Sequence, residues 1–276
     1  MPTLSQIFLY PVKSLAGIKI QRWPVDKNGL MYDRKWMLVD DDRQFLSQRR
    51  LPKMALIKPR IEQDRLIISA PDMPDLSLEL QPDGGDDIEV GIWHDQCLAK
   101  TISNQADVWF STFLECDCHL VYHPDDRQRQ VDQRYAKPSD QTAFSDGFPF
   151  LIVSENSLVN LNRVLPFEIG INRFRPNLVI ADCPAYAEDS WRRIRIRDIE
   201  FRLPKPCSRC SVPGIDPETA LSGKEPLATL NRLRRWENKI YFGQNALHSE
   251  TGELAVGDTL EILETGEKQP PICEPS

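Results

Sequence analysis

The sequence predicts a mostly β protein with a few helices, of the α+β class, built as two β-rich halves. In the first third, short runs of alternating apolar and polar residues are each ended by turn residues, the pattern of half-buried antiparallel strands. After one helix-like segment in the second part, strand-like runs dominate again, which favours a barrel or sandwich over a doubly wound fold. At 276 residues the chain is longer than one core usually fills, so the halves divide as 1–124 and 125–268, with a tail over 269–276.

Strands are expected over 4–12, 17–24 and 35–40, with Asn28-Gly29 as the turn between the second and third. The runs 36–39 and 44–47 flank Asp40-Asp41-Asp42 as a hairpin, and that acid run is a solvated turn without metal-loop spacing. Further strands follow over 54–61, 65–69, 76–80, 88–93 and 97–102. Ser103 caps a helix over 104–115 whose Val108, Trp109, Phe113 and Leu114 share a core-facing side. A strand over 119–123 gives way to a polar stretch, 125–140, expected as a mobile connection. In the second half a buried strand over 150–153 leads to Ser154, which caps a helix over 155–164 with Leu158, Leu161 and Leu165 on one face. Strands over 177–181, 194–196, 199–203, 241–247 and 259–263 complete the pattern, and Pro226 opens a short helix through Leu230.

Composition narrows the function. A formal net charge of -7 argues against a nucleic-acid partner, because phosphate backbones need clustered positive charge. No apolar run is long enough to span a bilayer and the start lacks the regions of a signal peptide, so no membrane attachment and a cytoplasmic location are expected. Seven cysteines, an odd number, then read as reduced thiols, each catalytic, ligating or buried.

The chemistry centres on Pro204-Lys205-Pro206-Cys207-Ser208-Arg209-Cys210, followed by Ile215-Asp216-Pro217. Two prolines deny the chain helical hydrogen bonds, so the cysteines are expected on a stiff loop leaving the strand over 199–203. Arg209 between the thiols favours a thiolate, the form that ligates metals and attacks electrophiles. Basic and small polar residues interrupt the β pattern at Lys13-Ser14, Asp33-Arg34 and Arg173-Phe174-Arg175-Pro176-Asn177, a set suited to a ligand that bears phosphate. The glycine, zinc and serine motifs of P-loop NTPases, Rossmann enzymes, zincins and α/β-hydrolases are absent. Cys116, Cys118 and His119 have an atypical spacing for a zinc site shared with Cys207 and Cys210, and Val212-Pro213-Gly214 prevents the helix that a thioredoxin-like pair would open. His94, His123 and His248 are scattered and read as surface or satisfied core residues.

Taken together, the motifs resemble a known family. Leu9-Tyr10-Pro11-Val12-Lys13-Ser14, Asp33-Arg34-Lys35-Trp36-Met37-Leu38-Val39 and Phe45-Leu46-Ser47-Gln48-Arg49 resemble the N-terminal β-barrel region that precedes MOSC domains. Phe150-Leu151-Ile152-Val153-Ser154, Phe174-Arg175-Pro176-Asn177, Tyr186-Ala187-Glu188-Asp189-Ser190-Trp191, Cys207-Ser208-Arg209-Cys210, Ile215-Asp216-Pro217, Lys224-Glu225-Pro226-Leu227 and Phe242-Gly243-Gln244 resemble the MOSC domain itself. The match is collinear over nearly the whole chain. It implies an N-terminal β-barrel-like domain packed on a MOSC β-barrel domain.

The resemblance further implies kinship with the amidoxime-reducing components, which reduce N-hydroxylated compounds with a molybdenum cofactor. By residue matching, Cys210 is the metal ligand, and Lys13, Ser14, Arg34, Gly147, Phe148, Arg175, Asn177, Ser208 and Arg209 hold the molybdopterin. Asp146 matches the family's acidic residue, a candidate to relay a proton or orient a water. At family level there is also an association with pyridoxal phosphate binding. The chain departs from the family at Gly147-Phe148, where relatives carry Thr-Ser: contacts through backbone N–H groups would survive that change and contacts through hydroxyls would not. With no four-cysteine cluster motif and only Cys273 in the tail, electrons are expected from a separate donor protein of flavoprotein reductase, ferredoxin or cytochrome b5 type. The alternative reading is a molybdenum-cofactor or sulfur carrier with a persulfide as its working group and no reductase activity.

Overall fold

The computed structural model describes residues 1–271, so Cys273 and the end of the expected tail lie outside the described residues. Among the described residues the fold is mostly β with three α-helices, as the patterning predicts. Its principal sheet runs, from edge to edge, Leu260–Thr265, Trp191–Ile196, Ile199–Ser208, Lys239–His248, Phe150–Ser154, Leu178–Ala181, Thr3–Leu9 and Ile18–Ile20, with Arg235–Trp236 beside Lys239–His248. The strand Phe150–Ser154 is buried along its whole length. Phe150 and Ile152 join the core on one face of the sheet and Leu151 and Val153 the core on the other, which is why the run is apolar without alternation. This strand pairs in parallel with Leu178–Ala181, and the helix Glu155–Asn162 supplies the crossover such a pair needs. Ser154 caps that helix, accepting from Ser157 N at 3.1 Å.

The expected barrel is only nearly closed. Thr3 bridges Thr259, Leu4 N donates to Asp258 O and Leu260 N to Pro2 O, each at 2.8 Å. The outer strand therefore meets the first strand through a few bonds, and no sheet is closed by a full ladder. Three smaller sheets complete the fold: Trp36–Val39 with His119–Tyr122, Asp95–Thr101 and Asp87–Ile92; Arg22–Asp26 with Gly29–Leu30 and Gly252–Ala255; and Lys58–Glu62 with Arg65–Ser69 and Leu76–Glu79. The sheets do not respect sequence order. Thr3–Leu9 pairs with Leu178–Ala181 and Arg22–Asp26 with Gly252–Ala255, so strands from the first 26 residues are built into the second half.

Several local expectations change. The strand expected over 54–61 splits into a 3-10 turn, Pro52–Leu56, and a strand, Lys58–Glu62, because Pro52 presets the first turn. The main partner of Trp36–Val39 is His119–Tyr122, while the expected hairpin with 44–47 is held by the Val39–Phe45 bridge, Asp40 N to Gln44 O at 3.0 Å and Leu46 N to Leu38 O at 2.8 Å. On the helix Asn104–Leu114, capped by Ser103 as expected, Trp109, Phe113 and Leu114 are buried but Val108 is 57% exposed, one step off the apolar stripe. The stretch 125–140 is pinned rather than a free connection. Arg129 donates to Ala143 O, Ser145 O and Asp95 Oδ2 at 2.9, 2.7 and 2.7 Å, and Asp140 accepts Arg202 on both oxygens at 2.7 Å. No helix among the described residues is long and apolar enough to cross a membrane.

Two buried groups give the fold opposite pH responses. His123 is fully buried against Phe144, both ring nitrogens lack partners, and it is therefore not the satisfied core histidine expected. Burial first, then the charges of Lys35 and Arg129, push it down to about 4. The unfolded chain takes up this proton near pH 6.5 and the folded one does not, so stability is lost as pH falls from 6.5 towards 4, by about 3 kcal/mol. Glu188, fully buried, is pushed up to about 6 by burial and then by Asp189. Its contribution falls as pH rises through 4.5 to 6, by about 2 kcal/mol. Chemical denaturation at several pH values should show His123→Phe removing the acid-side loss and Glu188→Gln removing the loss above pH 5.

Candidate functional site

One end of the principal sheet gathers the predicted residues. Phe8 and Asn177 are neighbours across the first pair of strands, with Phe8 N donating to Asn177 O at 2.9 Å. Asn177 also bonds the next strand twice, its backbone N donating to Leu151 O at 2.9 Å and its side-chain Oδ1 accepting from Leu151 N at 3.3 Å. Chain segments leaving this edge, 10–14, 147–151, 174–177 and 207–210, therefore converge. They line a cleft open to solvent, with Phe45, Ser47, Gln48, Arg49 and Trp93 from the N-terminal half also lining it.

The cysteine segment differs from its expected form. The strand Ile199–Ser208 continues through both prolines, so Cys207 lies on a strand and Cys210 just beyond it. The prolines are tolerated because pairing with Trp191–Ile196 stops at Arg202 and the register with Lys239–His248 slips on both sides of them, between Arg202 and Lys205 and between Pro206 and Ser208. Both thiols line the cleft. Arg209 crosses between them and the core, donating to Cys207 Sγ at 3.1 Å and to Phe174 O at 2.8 Å.

Five basic side chains line the same cleft, Lys13, Arg34, Arg49, Arg175 and Arg209, against one carboxylate, Asp146. Lys13 is buried and donates to Phe144 O at 2.9 Å and Asp146 Oδ1 at 2.6 Å. Burial lowers its pKa despite that partner. The cleft wall takes part of the solvent from the Asp146 carboxyl, which would raise it, but Lys13 and then the Trp93 N–H outweigh this and hold it well below the usual carboxylate range. With 68% of its side chain exposed, Asp146 stays ionised at neutral pH: it can orient a water but holds no proton to donate.

Arg34 donates to Asp33 and, at 3.1 Å, to Asn177 Oδ1. Arg175 donates to Leu15 O at 2.5 Å. Both guanidinium groups lie 4.3 Å from the centroid of the Tyr10 ring, which holds two like charges side by side. Desolvation, offset in part by Tyr10, and then the neighbouring Arg34 bring Arg175 down to about 10, so it remains a cation at neutral pH. Backbone positions serve the same end, since Ser14, Arg34 and Arg175 all adopt φ between 49° and 68°.

Of the predicted residues, Lys13, Ser14, Arg34, Asp146, Gly147, Phe148, Arg175, Asn177, Arg209 and Cys210 line this one cleft. Ser208 does not; it is exposed at the end of its strand, opposite Tyr241. At Gly147 a Cβ would meet nothing within 4 Å, so glycine in place of Thr leaves space there, whereas Phe148 puts a ring into the cleft lining where relatives carry Ser. The motif reading assigned no role to Tyr10, Phe45, Gln48 or Arg49, although their motifs were on view, and Trp93 carried no sequence signal. The zinc alternative is not assembled: Cys118 is buried in the N-terminal core with Cys116 packed against it, whereas Cys207 packs against the core beneath the cleft.

Comparison with known proteins agrees with this architecture. Residues 1–117 match the MOSC N-terminal beta barrel domain and residues 139–261 the MOSC domain, which defines the class. The mitochondrial amidoxime-reducing component 1 of Mus musculus is 34% identical over 95% of this chain and 82% of its own, and that of Homo sapiens 33% over 95% and 83%. The molybdenum cofactor sulfurase of Solanum lycopersicum is 30% identical over 96% of this chain, which spans 36% of the sulfurase. Among solved structures, the YUAD protein of Bacillus subtilis aligns over 95% of both chains at 10% identity and a TM-score of 0.39. The chain belongs to the MOSC family of the amidoxime-reducing components, an assignment that rests on the sequence relatives.

The Tyr10 hydroxyl is buried without a partner, so the ring and not the oxygen does the positioning. Calorimetric titration with a phosphate monoester should find Tyr10→Phe within about twofold of wild type and Tyr10→Leu weaker by about threefold or more, as the two guanidinium groups lose their spacer.

Proposed function

We propose that this protein is a cytoplasmic molybdenum-cofactor-dependent oxidoreductase that removes oxygen from small N-hydroxylated compounds with electrons from a separate donor protein. The observation that carries the reading is that Cys210 opens into the same cleft as five basic side chains drawn from five separated stretches of chain. A soft thiolate suits molybdenum, and clustered guanidinium and ammonium groups suit a phosphate, so the residues present fit a molybdenum–pterin group. Cys210 would ligate the metal. Lys13, Ser14, Arg34, Arg175, Asn177 and Arg209, with the backbone of Gly147 and Phe148, would hold the pterin and its phosphate. When bound, that group supplies two-electron oxygen-atom chemistry.

The chain's own residues then bind and orient. Arg34 and Arg175, spaced by Tyr10, fix the anionic end. Asp146 anchors Lys13 and orients a water on the open side, the source of the protons the reduction consumes. Gln48, donating to Ser14 O at 2.6 Å, holds the turn that presents Ser14.

The match to a molybdenum cofactor sulfurase favours a second reading, a carrier of cofactor or sulfur, in which Cys207 beside Arg209 or Cys210 bears a persulfide. Elemental and pterin analysis separates the two: bound molybdenum at one per chain, with a reduced dye oxidised only on adding an N-hydroxylated compound, supports the reductase, and labile sulfur without metal supports the carrier. Cys210→Ala should lower molybdenum-dependent turnover at least about a hundredfold, and Cys207→Ala should cost less than about tenfold; equal losses would undo the ligand assignment. Arg175→Ala should lower the pterin content of the purified protein several-fold, and unchanged content would remove Arg175 from the site.

A further inference from the structure

The hairpin Asp87–Ile92 and Asp95–Thr101 carries at its tip a residue with no role in the reading above. Asp95 stands opposite Ile92, so Trp93 and His94 alone make the turn. Trp93 sits at φ 58°, in the left-handed region that suits glycine or asparagine and strains a bulky side chain. Other two-residue turns of this chain, at 63–64, 197–198 and 237–238, place Gln63, Arg197 and Glu237 at φ 54°, 53° and 53°. Those three are exposed polar side chains. The turn itself therefore does not ask for a tryptophan.

Contacts across the cleft do. The Trp93 indole Nε1 donates to Asp146 Oδ1 at 3.1 Å, and Phe45 meets the indole edge-on with ring centroids 4.6 Å apart. The Arg49 guanidinium lies 4.2 Å from the ring centroid. Three contacts from two halves of the protein fix the orientation of the ring, yet Trp93 remains 42% exposed, and it lines the cleft that Cys210 lines. A large ring, held rigid and partly uncovered in a ligand cleft, is a surface on which another flat π system gains more than a puckered aliphatic one.

We propose that Trp93 is the specificity-determining residue of this cleft, selecting substrates whose N-hydroxylated group is attached to a flat aromatic ring. The inference rests on the reading that a small N-hydroxylated molecule enters here, and it adds the shape of that molecule. Trp93 touches the body of the substrate and leaves the reacting atoms to the Cys210 side of the cleft.

The test is equilibrium binding, by calorimetry on pterin-loaded protein, of two probes with the same head group: an aryl amidoxime and its cyclohexyl counterpart. Wild type should bind the aryl probe about tenfold more tightly. Trp93→Ala should bring that ratio close to one, and Trp93→Gly, which also relieves the turn, should match it and so rule out misfolding as the cause. Trp93→Phe, with a ring but no N–H, should keep most of the preference. The assignment is overturned by a wild type without preference for the aryl probe, by Trp93→Ala retaining the wild-type ratio, or by Trp93→Phe losing as much as Trp93→Ala, which would shift the effect to the N–H bond with Asp146. A wild type that prefers the aryl probe but reduces neither compound would keep Trp93 and remove the reductase reading.

Discussion

Positive charge withdrawn from water at the seam between the two halves is the constraint on which the rest of the structure depends. Lys13, Arg34 and Arg175 each find a partner in another part of the chain: Phe144 and Asp146 for the first, Asn177, beside its neighbour Asp33, for the second, and Leu15 O for the third. A buried cation stripped of such partners costs several kcal/mol, so the halves cannot part without exposing or stranding these groups. The partners are also incomplete. Arg34 has the Asp33 carboxylate but Arg175 has only the Leu15 carbonyl and the Tyr10 ring it shares with Arg34, and the cleft keeps a surplus of positive charge in a fixed geometry. An anion entering it meets donors already in position, which removes most of the ordering cost of binding.

The end of the principal sheet is where this arrangement can form. Asn177 uses its backbone and its amide together to tie Phe8, Arg34 and Leu151, so the first strand, the parallel pair and the arginine turn share one anchor. On the opposite side pairing with Trp191–Ile196 stops before the prolines at 204 and 206, while Ser208 stays paired with Tyr241 and Arg209 N donates to Ile240 O at 2.7 Å, which fixes the two cysteines at the opening. The pinned stretch through Arg129 and Asp140 carries Asp146 to Lys13 and Trp93. A thiol, a set of cations and an aromatic wall thus meet at one opening although, Arg209 beside Cys210 apart, they come from separated stretches of the chain.

What could be read from the sequence followed from the range of the interactions responsible. Strands announced themselves through side chains two residues apart, and the run at Phe150–Ser154 through its unbroken apolar character, because both patterns are local. The basic turns and cysteines stood out because arginine, lysine and thiol chemistry is specific to residue type. Of the eleven residues the motif resemblance named, ten line a single cleft, and Ser208, exposed at a strand end, does not. Stretch 125–140 misled for a related reason: polar composition describes a solvated loop and a pinned ion-pair network equally well.

By itself, then, the sequence determined the mostly β class, the cap residues, the candidate ligand Cys210 and the anionic nature of what the basic turns could hold. Tertiary structure alone decided that Thr3–Leu9 completes a sheet belonging to the second half, that His123 is buried without partners, that Asp146 is an ionised anchor for Lys13, and that Trp93 faces the cleft from a strained turn. The physical reason is separation along the chain. Propensity, capping and thiol reactivity act within a few residues, whereas burial, charge pairing and ring contacts here join positions such as 13 and 146, 34 and 177, or 93 and 146, and no short-range pattern encodes which distant group will arrive.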